Sequence, residues 1–339
     1  MGQRLNTNGS LKSALAGMSL VGGLACLGLL LFLLKGSPGS ETKDVLIPRG
    51  LSLKAVSELL TKEGVIQHPV VFQNLLRFTR GNKKVRAGEF RLRLGANLLN
   101  TLKVLYSSEP ITHSLTVPEG WNVRQIGALI QEKGLGRSDR FIQLALSPQA
   151  AKKYQLSTPH LEGFLYPDTY LFSRVDGEEK MLETMVNRFF QEYNSRFKSR
   201  IPASGMSLEK VVTLASIVEK ETGKPVERPM IASVFFNRLK KGMRLQSDPT
   251  TIYGIENFNG NLTKADLQRW TRYNTYTISG LPPGPIASPG GDAIEAVLKP
   301  DSSEYLYFVS DNNGSHLFTK TYQEHLRLVR NYQINRRKN

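Results

Sequence analysis

One glutamate in this 339-residue chain stands where it could carry a proton. Ser207 is a good N-cap, and LEKVVTLASIVEKET, Leu208 to Thr222, has the apolar spacing of an α-helix. Counting about 100° per residue from Leu208, Val212, Ala215, Glu219 and Thr222 fall at about 40°, 340°, 20° and 320°. Glu219 is therefore in the middle of the apolar face, while Glu221, at about 220°, projects to the opposite side. Burial penalises the charged form of a carboxyl and raises its pKa, which a general acid working near neutral pH requires. A structural role competes with this one, because a carboxylate paired to a buried arginine or capping a neighbouring backbone occupies the same kind of position.

The segments that follow add to the chemical reading. Met243-Arg244-Leu245-Gln246-Ser247-Asp248-Pro249-Thr250 and the run from Tyr273 to Pro285 combine amides, hydroxyls and aromatic rings on turns. Sugars stack on rings and hydrogen-bond to planar polar groups, so such loops suit a saccharide groove. Other chemistries lack their signatures. His316 and His325, the closest histidine pair, are nine apart, and there is no H-E-x-x-H, no G-x-S-x-G and no P-loop. The single cysteine, Cys26, lies in an apolar run. No metal and no cofactor is expected.

The elements that must position Glu219 belong to a chain with 45 Lys+Arg against 29 Asp+Glu, a formal charge of +16. That excess invites a polyanionic partner: nucleic acid, anionic lipid or acidic wall polymer. Ala14 to Leu34 runs 21 residues without a charge, long enough for a helix to cross a bilayer, longer than a signal-peptide core and not closed by a small-x-small cleavage site. Arg4 and Lys12 precede it with no acid, whereas Lys35, Glu41, Lys43 and Asp44 cancel beyond it, so the N-terminus is expected in the cytoplasm and the rest outside. Nucleic acid is then not the expected partner. Cys26 reads as a small residue within this helix rather than a lipidation site.

Outside the anchor, VLIPRGLSLKAVSELLTKEGVI and SLTVPEGWNVRQIGALIQEKGLG repeat one pattern at an offset of 70 residues. Each has a β-branched run, a Pro-x-Gly turn (Pro48–Gly50, Pro118–Gly120), an amphipathic helix and a glycine stop (Gly64, Gly134). Ala87 to Leu94 alternates as a strand, and Thr101 to Tyr106 reads as a helix. The strand–helix–helix–strand order of 44–94 resembles LysM modules, which bind the N-acetyl-sugar backbone of peptidoglycan. Arg77, Arg80, Lys83, Lys84, Arg86, Arg91 and Arg93 face a single acid, Glu89, and form either a solvated basic face or a surface for lipid headgroups or wall polymer. Near the end, Tyr305–Val309 and His316–Thr319 flank Asp311-Asn312-Asn313-Gly314 as a hairpin, followed by a helix from Tyr322 to Tyr332.

LEGFLYPDTY (Leu161–Tyr170), LASIVEKET (Leu214–Thr222), VFFNRLKKGMRLQSDPTTIYG (Val234–Gly254), YNTYTISGLPPGPIASPG (Tyr273–Gly290) and YLYFV (Tyr305–Val309) together resemble the motifs of the endolytic murein transglycosylases, the MltG/YceG family. The resemblance covers essentially the whole segment beyond the anchor. It implies an α+β fold divided into a cytoplasmic tail 1–13, a transmembrane helix 14–34, a linker 35–43, a LysM-like module 44–110, a second small α+β segment 111–158, a catalytic domain 159–335 and a basic tail 336–339.

The resemblance also implies a reaction. The first Glu of the family's V-E-K-E-T motif is catalytic and corresponds to Glu219. The bond cut is the β-1,4 link between N-acetylmuramic acid and N-acetylglucosamine within nascent glycan strands, leaving 1,6-anhydro ends and terminating elongation. Glu162, Asp168, Gln246, Asp248 and Asn274 are candidates for holding the sugars or tuning Glu219, each with hydrogen bonding in a turn as its structural alternative. The implied partners are peptidoglycan strands, membrane lipid and peptidoglycan synthases, at the inner membrane with the catalytic domain outside. A muramidase acting on the same bond with a second carboxylate, and a non-catalytic wall-binding scaffold, are the competing readings.

Overall fold

A computed structural model describes Gly28 and residues 41–79 and 85–334. The expected membrane helix 14–34 lies outside the described residues except for Gly28, as do the tail 1–13, Arg80, Lys83, Lys84 and the basic tail 336–339. Among the described residues no helix is long and apolar enough to cross a membrane. The chain is α+β and divides into two compact units, one ending at His113 but including Ser173–Val175, the other made of Ser114–Phe172 and the chain from Asp176 onward.

The first unit runs β1 (Thr42–Ile47), α1 (Leu53–Lys62), α2 (Pro69–Thr79), β2 (Gly88–Arg93) and α3 (Leu98–Ser107). Alternation places Val45, Ile47, Phe90 and Leu92 on the buried side of an antiparallel pair in which Val45 faces Phe90. These residues close over Val56, Leu60, Phe72, Leu76, Leu102 and Leu105 from the helices. The expected basic face is more neutral than its sequence implies. Arg91 pairs across the sheet with Asp44 at 2.8 Å, Arg86 reaches Glu109 at 2.7 Å, and Glu89 points to His113 and Arg174 instead. The acids come from distant parts of the chain, so a local charge count missed them.

The repeat opens the second unit with β3 (His113–Thr116), whose first residue closes the first unit, then α4 (Val123–Glu132), α5 (Ser138–Ala145) and α6 (Pro148–Lys153), with β4 (Thr169–Phe172) returning to pair with β3. The two copies match in detail. Gly50 and Gly120 turn the chain with φ of 80° and 73°, Gly64 and Gly134 end the helices with φ of 75° and 63°, and Ser52 and Asn122 cap them. The second copy shares one core with everything after it, from Leu115 to Val297.

That core is built around α8 (Leu208–Glu221), which follows α7 (Gly177–Glu192) and is capped by the Ser207 side chain. Every residue from Val211 to Val218 is buried. Helices α9 (Arg228–Lys240), α10 (Asp248–Tyr253) and, after α11 (Lys264–Gln268), α12 (Gly291–Leu298) surround α8, with α9, α10 and α12 packed on it. The expectation that Glu221 faces away from the core is therefore incorrect. A helical wheel separates two faces only when one of them meets water, and this helix is enclosed. The hairpin β5 (Tyr307–Ser310) and β6 (His316–Thr319) pairs as expected, with Asp311 accepting from Asn313 and Ser315 in its turn, and α13 (Tyr322–Val329) packs on it.

Gly163 locks the Leu161–Tyr170 motif against the proline-rich loop, because its φ is 83° and an added Cβ would lie 2.3 Å from Pro285 Cβ. Gly163→Ala should lower stability by about 3 kcal/mol, from left-handed strain plus the overlap. Gly205→Ala, with φ of 68° but open space around it, should cost about 1 kcal/mol. Paired thermal or denaturant unfolding of the two variants checks the difference.

Candidate active site

The last turn of α8 brings Glu219 to the junction of three other segments. Its side chain is 6% exposed. Arg228, the first residue of α9 and equally buried, donates from Nη2 to Glu219 Oε1 at 2.6 Å, and the Gly290 amide at the start of α12 donates to Oε2 at 3.0 Å. Glu119, in the turn before α4, stands 3.4 Å from the same Arg228 nitrogen, and Asp292 lies 4.0 Å from Nη1. The turn is pinned in place by backbone bonds from Gly120 to Ser288 and from Ser288 to Trp121, both 2.8 Å, and by Lys220 Nζ donating to the Gly120 carbonyl.

Both roles foreseen for Glu219 are present together: it is paired to a buried arginine and it is a desolvated acid. Burial pushes its pKa up, the Gly290 amide, Arg228 and Lys220 pull it down, and Glu119 pushes it up, with a net upward displacement. A guanidinium at 2.6 Å would by itself hold the carboxylate ionised. Here that cation is shared with Glu119 and Asp292, and desolvation outweighs it.

Beside Glu219 opens a cleft of about 1160 Å³, bordered by Gly120 and Lys220 and walled by Asn122, Arg124, Tyr253 and Tyr273. The two tyrosine rings are 4.7 Å apart between centroids. Glu162 lies in its floor, 1% exposed, accepting from the Val123 amide at 3.0 Å and the Tyr253 hydroxyl at 3.1 Å. Burial pushes its pKa up to about 8, against the pull of those donors. His160 beside it is pushed down to about 4 by burial and is neutral. Its Nδ1 accepts from the Glu162 amide, so Nε2 carries the proton and donates to the Tyr273 oxygen at 3.1 Å.

The other expected residues are not gathered on Glu219. Asp168 is half-buried and held ionised by Arg188 at 2.7 Å. Gln246 is exposed with a left-handed φ of 50°, its amide donating to the Thr275 carbonyl. Asp248 accepts from the Tyr276 hydroxyl at 2.6 Å. Asn274 is wholly buried: its amide group donates to the carbonyls of Asp266, Leu267 and Arg269, and its oxygen accepts from Thr251 and Tyr276. It braces the loop and has no polar group left for a ligand. Next to Gln246 and Asp248, Ser247 hydrogen-bonds Glu221 at the end of α8, and Glu221 is itself pushed up to about 7 by burial. Among the described residues no cluster of His, Cys, Asp or Glu has the form of a metal site.

Sequence reasoning passed over Glu119, Arg228, the Gly290 amide, Tyr253 and His160. For Glu119 a signal existed, since the equivalent turn of the first repeat carries Arg49 and the charge is reversed between copies. Arg228 stands before Pro229, which marks a helix start, but nothing local shows that it turns inward.

Because Glu162 binds its proton more tightly folded than unfolded, stability should fall as pH rises from its unfolded value of about 4.5 toward its folded value of about 8. Glu162→Gln keeps the acceptor for Val123 and removes this titration. Unfolding measured at pH 5 and pH 8 should show the wild type losing a few kcal/mol more than the variant; equal losses would contradict the assignment.

A profile of the YceG-like family matches residues 45–331. An endolytic murein transglycosylase of Bacillus subtilis (strain 168) is 33% identical over 307 residues, covering 86% of this chain and 85% of that protein. A protein of the same name from Streptococcus pneumoniae (strain D39) is 29% identical over 315 residues, covering 84% of this chain and 57% of that one. The 2.6 Å crystal structure of a yceG-like protein of Listeria monocytogenes superposes with a TM-score of 0.59 at 32% identity, over 85% of this chain and 99% of that one. With the match running from the first strand to beyond the last helix, the chain belongs to the YceG-like family.

Proposed function

We propose that this chain is an endolytic murein transglycosylase in which Glu219 is the single proton carrier. The observation that carries the proposal is a buried carboxyl whose proton affinity is raised by desolvation, beside a guanidinium that makes its ionised form tolerable, next to a large polar and aromatic cleft. The cleft exceeds the ~300–1,000 Å³ usual for small-molecule sites, as an extended polymer requires. Its tyrosines offer stacking faces, its neutral Glu162 and His160 offer hydrogen bonds without charge, and Arg124 and Lys220 suit the carboxylates borne by wall glycan. The name borne by the Bacillus and Streptococcus relatives supports the same substrate.

In the proposed reaction, protonated Glu219 gives its proton to the glycosidic oxygen as the bond to muramyl C1 breaks. The carboxylate left behind is held by Arg228 and the Gly290 amide. It then takes the proton of the muramyl 6-hydroxyl as O6 bonds to C1, which closes the 1,6-anhydro ring and restores the acid. An internal nucleophile has a high effective concentration, so neither water nor a nucleophilic carboxylate is needed.

The proposal extends to placement. The uncharged run 14–34 would anchor the chain in the inner membrane with the N-terminus in the cytoplasm, supported by the positive flank ahead of it. The βααβ order of the first unit supports a LysM-like contact with glycan, and the exposed Arg77 and Arg93 among its described residues support a contact with anionic lipid or wall polymer. Peptidoglycan synthases, which supply such strands, are the proposed protein neighbours.

Glu219→Gln should keep the fold and lower release of anhydro-ended fragments from purified glycan by about 10³-fold or more. Mass spectrometry of the digest checks this and separates the rivals. A muramidase leaves products one water heavier, and a wall-binding scaffold leaves none.

A further inference from the structure

We propose that Glu119 is a positioning residue for Glu219: it competes for the Arg228 guanidinium and so lets Glu219 hold the proton it delivers. The inference rests on the reaction proposed above and adds a residue to it. Its basis is the shared cation. Arg228 Nη2 is 2.6 Å from Glu219 Oε1 and 3.4 Å from Glu119 Oε2, so these oxygens are at most 6.0 Å apart.

Both acids also clasp the same glycine. The Gly290 amide donates to Glu219 Oε2, and a Cβ on Gly290 would lie 1.9 Å from Glu119 Oε1, so only a glycine leaves room for the second carboxylate. Gly290 has φ of −74°, an ordinary value for any residue, so its backbone conformation gives no other reason for glycine. Arg228 Nε is buried without a hydrogen-bond partner, so the guanidinium is not locked into one arrangement by all of its donors.

The charged and titratable groups facing this point come from each surrounding element. Lys220 extends from α8, Arg228 from α9, Asp292 from α12 and Glu119 from the turn before α4. Arg196 and the Tyr166 hydroxyl border Gly291, and the Arg196 nitrogen there lies 3.4 Å from Glu192. Lys220 is exposed and spends a bond on the Gly120 carbonyl. Three carboxylates thus share one buried guanidinium, and the most buried of the three, Glu219, loses most solvation when charged. Glu119 is 47% exposed on its side chain, so water screens its field.

The test is the pH–rate profile of the full-length protein in detergent on purified glycan strands, with the titration of the Glu219 carboxyl followed by carbon-13 NMR and assigned by difference from Glu219→Gln. Activity that needs protonated Glu219 falls as pH rises through its pKa. Removing the negative charge of Glu119 stabilises the Glu219 carboxylate, so the alkaline limb of Glu119→Gln should move down by about 0.5–1 pH unit, with the Glu219 titration moving alongside. Glu119→Asp should stay near the wild type, and Gly290→Ala, whose Cβ displaces Glu119, should move in the same direction as Glu119→Gln. An unmoved limb and titration in Glu119→Gln overturns the proposal. So does loss of activity at every pH with an unmoved titration, which would give Glu119 a direct part in bond cleavage. An active Glu219→Gln would overturn the proposed reaction instead, and the NMR titration would still decide on Glu119.

Discussion

The structure around the cleft depends on one buried guanidinium. Taking Arg228 and Glu219 out of water carries a desolvation penalty, and removing either partner of such a pair commonly costs about 3–5 kcal/mol. The segments that meet there are far apart in sequence: the turn at Glu119, the end of α8, the start of α9 and the start of α12. Their convergence is secured by groups unrelated to the charge. Gly120 and Trp121 bond to Ser288, and the Ile286 amide donates to the Ser216 hydroxyl in the middle of α8. The bonds of the segment ahead of α12 to α8 and to the Glu119 turn therefore set where the Gly290 amide and Glu119 stand relative to Glu219.

The repeat explains how the site is framed. In the first unit the chain passes from α2 to β2 and closes its small sheet. In the second, α6 and the Leu161–Asp168 motif intervene before β4 returns, and this insertion carries Glu162 and His160 into the cleft. The turn that bears Arg49 in one copy bears Glu119 in the other. The same strand–turn–helix geometry, kept by paired glycines with positive φ, thus serves a small two-stranded module in one place and one wall of a cleft in the other.

Much of this was legible in the chain because it is local. Ser207 as a cap, the glycine turns, the Asp311–Gly314 hairpin and the burial of Glu219 all follow from neighbouring residues. What was not legible depends on tertiary enclosure. A helical wheel turns Glu221 away from the core because it presumes a solvent side, and α8 has none along Val211–Val218. The residue type and loop of Asn274 suit a sugar ligand, but its bonds are all taken by backbone and Thr251. The basic run near Arg86 and Arg91 meets its acids, Asp44 and Glu109, from elsewhere in the chain, beyond the reach of a local charge count.

Three desolvated carboxyls of the second unit, Glu162, Glu219 and Glu221, differ in what each can do after losing a proton. Glu162 is surrounded by an amide and a hydroxyl, with its pKa near 8, and no cation bonds to it. It can donate or accept a hydrogen bond in its neutral form, but its anion is disfavoured. Glu221 has a serine hydroxyl as its hydrogen-bond partner and rises to about 7. Only Glu219 combines desolvation with a guanidinium in contact. Burial alone makes a good proton donor and a poor resting place for the charge that remains, whereas an ion pair alone makes a stable carboxylate with no proton to give. A reaction that passes one proton out and takes another back needs both states of the same group close in energy. Among these acids, Glu219 is placed to meet that condition.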